Sequence, residues 1–109
     1  MKKFLPYALL LSALVFNTAA AHAEDFVLTL KDHQFSPKEL TVPAGQKIKL
    51  VIKNEDATPA EFESHGMKRE KVVGAKAKIT VLIGPLTAGR YEYFDDFHRD
   101  TTSGVIIAQ

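Results

Sequence analysis

Gln46-Lys47-Ile48-Lys49-Leu50-Val51-Ile52-Lys53 decides the fold class. Ile48, Leu50 and Ile52 alternate with Lys47, Lys49 and Lys53, the period-2 pattern of a strand with one buried and one wet face. Upstream, Phe26, Leu28 and Leu30 alternate with Thr29 and Lys31 in the same way. Further strands are expected at Glu39 to Val42, Ala60 to Glu63, Lys78 to Ile83, Gly89 to Phe94 and Gly104 to Ala108. Turn signals separate them at Ser36-Pro37, Pro43-Ala44-Gly45, Asn54-Glu55-Asp56, Gly84-Pro85 and Ala88-Gly89. About seven short strands with regular punctuation predict an all-β Greek-key sandwich or barrel. Ser64 to Val73 breaks the alternation and reads as a helical turn or a long loop.

At the N-terminus, Lys2 and Lys3 precede an uncharged apolar run from Phe4 to Phe16, and small residues lead to Ala21-His22-Ala23. This is the pattern of a cleaved signal peptide over residues 1–23, which leaves a single domain at 24–109 exported to the periplasm. The run is shorter than the roughly 20 apolar residues of a membrane-spanning helix, so no stable membrane insertion is expected. Removing Lys2 and Lys3 with the leader leaves 12 basic residues against 13 acidic ones, a net charge of −1. That balance argues against a nucleic-acid partner. The sequence has no Cys, so a small exported domain that often relies on disulfides must rely here on its core, a metal or a partner.

Chemistry-bearing side chains concentrate in two places. Glu61 and Glu63 sit on one expected strand, and Asp95, Asp96, His98 and Asp100 on the closing loop. Tyr91, Tyr93 and Asp95 share one strand face, which aims position 95 at the sandwich interior. Carboxylates with one imidazole favour Fe(II), Fe(III), Mn(II) or Cu(II) over Cu(I). An anionic site holds Fe(III) more tightly than Fe(II) and so lowers the reduction potential of bound iron. His33, His65 and Met67 are weaker metal candidates. If Phe62 faces the core, alternation sends Glu61 and Glu63 outward. A loop Met most often packs on the core. Ser64-His65 is no nucleophile arrangement and no Gly-rich phosphate loop is present, so hydrolase and transferase chemistry is not expected.

Gln34-Phe35-Ser36-Pro37 followed by Leu40-Thr41-Val42-Pro43-Ala44-Gly45 resembles the opening of cupredoxins, and Tyr91 to His98 resembles their closing strand and loop. The resemblance implies a cupredoxin-like Greek-key β-sandwich, with Asp95 at the position of the copper-binding Cys, His98 at that of the second His, and Ala60 or Glu61 at that of the first. No thiolate is present, which excludes a type 1 blue copper centre. Thr58 to Ser64, Lys68 to Val72 and Tyr93 to His98 are similar to the cupredoxin-like domains of EfeO-type and FtrB-type proteins of bacterial iron uptake. That resemblance implies a periplasmic protein that binds iron, copper or both, with no organic cofactor. It would assist ferrous iron oxidation, as a ferroxidase component, or deliver iron to a membrane iron permease or another periplasmic iron-uptake protein. A copper carrier using His65 and Met67, a metal-free sandwich that docks other proteins, and a homodimer sharing a metal remain open.

Overall fold

The computed structural model describes residues 24–109. The leader expected over residues 1–23 lies outside the described residues. Nine strands follow in order: β1 (Glu24–Lys31), β2 (Gln34–Ser36), β3 (Glu39–Val42), β4 (Ile48–Asn54), β5 (Ala60–Ser64), β6 (Arg69–Val73), β7 (Lys78–Ile83), β8 (Gly89–Asp95) and β9 (Ser103–Ala108). A single 3-10 turn, Asp96–His98, links β8 to the approach of β9. Among the described residues no helix is long and apolar enough to cross a membrane.

The alternating segment is β4, at the centre of a four-stranded sheet of order β2-β1-β4-β7. Its Ile48, Leu50 and Ile52 are fully buried, while Lys49 and Lys53 face solvent. β1 runs parallel to β4 with Phe26 opposite Leu50 and Leu28 opposite Ile52, so their buried residues form one continuous layer. The second sheet has five strands in the order β3-β9-β8-β5-β6. Phe62, Tyr93 and Ile106 point inward from it to close the core over Leu28, Leu30 and Leu50.

Tyr93 anchors the site-bearing end of that core. Its ring meets Phe35 edge-on at 5.0 Å and lies tilted over Phe62 at 5.3 Å, the offset geometries that aromatic quadrupoles favour. The ring occupies space left by Gly104, where any Cβ would overlap the Tyr93 hydroxyl and press on the Lys38 carbonyl. The Tyr93 hydroxyl is buried with no hydrogen-bond partner among the described residues. Desolvation raises its pKa far above the ordinary phenol value.

Two strands depart from the sequence expectation. The segment Ser64 to Val73, expected as a helical turn or long loop, is a hairpin in which β6 pairs antiparallel with β5. As an edge strand, β6 buries only Val73, so no alternation announces it. β2 is three residues long with Phe35 alone buried, too short to carry a period. The count therefore rises from about seven to nine while the sandwich architecture stands.

Candidate metal-binding sites

Phe62 does face the core, so Glu61 and Glu63 project from the outer face of the five-stranded sheet. The β5–β6 register sets Glu63 opposite Glu70 and Glu61 opposite Val72. One carboxylate oxygen from each of Glu61, Glu63 and Glu70 lies within 4.8 Å of the others. Partial desolvation raises the Glu61 pKa, and the charge and hydrogen bond of Glu70, with the charges of Asp96 and Glu63, raise it further. Three like charges held at this separation repel one another, and a hard cation is the ligand that would relieve them. Asp96 stands beside this group but is engaged with Arg99, whose guanidinium bonds its Oδ1 at 2.7 and 3.2 Å and covers the Phe94 ring at 4.7 Å. Glu70 falls outside the candidates that the sequence offers, because its edge strand buries only Val73 and shows no alternation.

Asp95 faces the other way. It is fully buried in line with Tyr93, as the parity of β8 requires. Its Oδ1 accepts the backbone N–H groups of Glu61 at 2.9 Å and Phe97 at 3.0 Å, and its Oδ2 lies 2.9 Å from His98 Nδ1. Asp95 thereby caps the 3-10 turn and fixes the His98 ring. Asp95 and His98 are thus joined at the end of the sandwich, on the opposite side of β5 from the glutamates. Asp100 is exposed beyond the turn.

His33 comes to the same end by a different route. The β1–β2 hairpin closes through a two-residue loop, Asp32 and His33, both in the left-handed region at φ 51° and 57°. That is the backbone of a type I′ turn, in which non-glycine residues carry a penalty of roughly 1–2 kcal/mol each. Asp56 offsets it: its two carboxylate oxygens accept the N–H groups of Asp32 at 2.7 Å and His33 at 3.0 Å. Burial alone would raise the Asp56 carboxyl, but these two N–H groups and the charges of His33 and Lys76 outweigh it and hold the pKa below its ordinary value. Asp56 is itself placed by buried Asn54, whose Oδ1 accepts the Asp56 N–H at 3.0 Å while its amide donates to the carbonyls of Thr58 and Gly74. The His33 ring ends 4.1 Å from that of His98.

His65 and Met67 separate. Met67 is buried in the core, with its N–H donating to Ser64 Oγ, whereas exposed His65 rests against Phe94 on the outer face at 5.6 Å. The basic run beside them spans the gap between the sheets: Arg69 Nε donates to the Leu82 carbonyl at 2.7 Å and Lys71 Nζ to that of Thr80 at 3.3 Å.

Two face-packed sheets in this strand order, with a buried polar residue ending β8 just before a histidine-bearing turn, define a cupredoxin-type β-sandwich. The chain belongs to the cupredoxin-like domain family, whose model matches residues 4–108. It is 49% identical over 80 residues to an uncharacterized protein of Rickettsia prowazekii (strain Madrid E), a match that covers 73% of this chain and 64% of that protein's length. Its fold is similar to that of auracyanin A, a blue copper protein of Chloroflexus aurantiacus, with TM-score 0.66 and 16% identity over 78% of this chain and 98% of the other. Amicyanin of Paracoccus versutus gives TM-score 0.63 and 19% identity, covering 84% of this chain and 87% of that one.

The blue copper donor set does not fit these residues. A thiolate defines that centre, and the sequence has no Cys. Asp95 has its carboxylate already committed to two N–H groups and an imidazole, Ala60 is buried and offers no donor, and Met67 packs into the core.

Proposed function

We propose that this chain is a periplasmic metal-binding protein that takes up iron or copper on the Glu61, Glu63 and Glu70 face and passes it to a membrane iron permease or another periplasmic iron-uptake protein. The observation that carries this reading is the convergence of three carboxylate oxygens within 4.8 Å on one sheet face. Such a donor set suits Fe(III), Fe(II), Mn(II) and Cu(II), and its partial exposure favours rapid exchange. The resemblance of residues 58–64 and 93–98 to EfeO-type and FtrB-type proteins, together with the signal-peptide pattern of residues 1–23, supports the iron-uptake setting. As a ferroxidase component the site would favour Fe(II) giving up one electron, which a copper ion or a membrane partner would have to accept.

The test is anaerobic calorimetric titration of the purified chain with Fe(II), Mn(II) and Cu(II). Glu61→Gln and Glu70→Gln should each weaken binding by about 10-fold or more, the scale on which metal sites respond to loss of a supporting group. Unchanged binding in both variants would overturn the assignment of the site, and no binding of any of the three ions would overturn the function.

A further inference from the structure

We infer that the outer face of the four-stranded sheet carries an anion site, a cavity lined by Lys31, Lys53, Lys76 and Lys78 that takes a multivalent phosphate-bearing ligand, either an oligophosphate or a phospholipid headgroup. The cavity encloses about 680 Å³, inside the range of roughly 300–1,000 Å³ that small-ligand sites occupy. Glu55 is the one acid in its lining, so four lysines less one glutamate leave a local charge of +3. Among the described residues no carboxylate forms an ion pair with any of the four lysines. The acidic face of Glu61, Glu63 and Glu70 lies on the outer side of the other sheet. Packed sheets stand about 10 Å apart, and charges separated by more than about 8 Å are largely screened at physiological salt, so those acids do not neutralise the lysines.

Strand register, and not a run in the sequence, gathers these charges. Lys53 of β4 stands directly opposite Lys78 of β7, and the pairing of Thr29 with Lys53 sets Lys31 one pleat further along the same face of β1. Like charges directly opposite one another destabilise a sheet, and an anion seated between them turns that repulsion into attraction. The walls that carry the lysines are laced together by backbone and side-chain hydrogen bonds. Asn54 donates its N–H to the Ala77 carbonyl at 2.8 Å and its amide to the Gly74 carbonyl at 3.1 Å, which ties the turn bearing Lys76 to the end of β4. The Lys76 N–H donates to the Asp56 carbonyl at 3.0 Å, the Glu55 N–H to the Leu30 carbonyl at 2.8 Å, and the Lys76 ammonium to the Glu55 carbonyl. Lys31, Lys53 and Lys78 thus project from three adjacent strands of a fixed frame. A concave surface of one sign focuses the field on its ligand, and each ammonium offers three donors to phosphate oxygens that accept from every side.

The experiment titrates the purified chain by calorimetry with tripolyphosphate, and by sedimentation with phosphatidylglycerol vesicles against phosphatidylcholine vesicles, at low and high salt. Binding of tripolyphosphate, of phosphatidylglycerol vesicles, or of both is expected, weakened by salt. Binding of tripolyphosphate alone identifies a free oligophosphate as the ligand, and vesicle binding that tripolyphosphate displaces identifies a headgroup; either supports the site. The double variant Lys53→Gln/Lys78→Gln should weaken binding by at least ~10-fold, the scale of losing charge-assisted hydrogen bonds. Tripolyphosphate should raise the melting temperature of the wild-type chain and not that of this variant, which should itself melt no lower than wild type without ligand. Lys47→Gln/Lys49→Gln removes the same two charges from exposed positions outside the cavity and should leave binding within about 2-fold of wild type. Equal losses in the two double variants would reduce the effect to diffuse surface charge and overturn the proposal, as would binding of neither probe. Glu61→Gln should leave the anion affinity unchanged, so failure here and failure at the carboxylate face are read separately.

Discussion

The backbone N–H of Glu61 donates to Asp95 Oδ1 at 2.9 Å, so one side chain on the inner face of β8 positions the strand that carries the outer carboxylates. Asp95 also holds the Phe97 N–H and the His98 ring. Its replacement by Ala strands two N–H groups and frees an imidazole. Leaving a buried donor unpaired costs about 1–3 kcal/mol, so Asp95→Ala should lower unfolding free energy by about 3 kcal/mol in urea titrations. Asp95→Asn keeps an acceptor and should lose less than half as much. Equal losses in the two variants would contradict the role assigned to those hydrogen bonds.

Asp56 should make the fold acid-sensitive. Its carboxyl is lowered in the folded state, so its stabilisation is complete above its unfolded value of 3.8 and is lost as pH falls through the folded value. Asp56→Asn should cost about 1–2 kcal/mol above about pH 5, and the gap to wild type should shrink in more acid solution. Urea unfolding over a pH series measures both. A gap that stays constant down the series contradicts the prediction.

Glu61 has the opposite sign. A carboxyl raised in the folded state penalises the fold above the raised value, and the penalty vanishes below the unfolded value of 4.5. Without metal, Glu61→Gln should therefore melt at a higher temperature than wild type at neutral pH and at the same temperature in acid. Added Fe(II) or Mn(II) should reverse the order at neutral pH, since only the wild-type site gains the binding energy. Calorimetric melting with and without the ion decides it.

Gly104 and Tyr93 should be coupled. Gly104→Ala forces a methyl group into the Tyr93 ring and should destabilise by roughly 1–3 kcal/mol, as overpacking does. Tyr93→Phe removes a buried hydroxyl that has no partner among the described residues, so it should leave stability unchanged or raised. In the double variant part of the Gly104→Ala loss should return, because the methyl group then overlaps fewer atoms. Strict additivity in the double-mutant cycle would mean that the two sites do not share the strain.

Seven strands were legible because burial on one face writes a period of two, as Ile48, Leu50 and Ile52 show. β6 was not, since an edge strand with one buried residue has no face to write. The site was legible residue by residue more than as a constellation. Glu61, Glu63, Asp95, Asp96 and His98 stood out by chemistry, yet the parity of Phe62 divides them between two faces of the sheet. Glu70 required the hairpin register, which only pairing reveals. Asp56 and Thr102 carry no local signal: one acts across 23 residues on a turn that uses Asp-His where Asn-Gly is the familiar cue, the other across 69 residues. Long-range hydrogen bonds of this kind leave no trace in periodicity.

The reach of Arg69 and Lys71 across to the Leu82 and Thr80 carbonyls has a meaning for life at high concentration. β6 and β7 are the outermost strands of their sheets, and an unpaired row of carbonyls is a template on which a second molecule can add a strand. With cationic side chains seated on that row, a newly arriving strand meets occupied acceptors and positive charge in place of open backbone. The same two residues that stitch the sheets together thus discourage the chain from polymerising with its own copies.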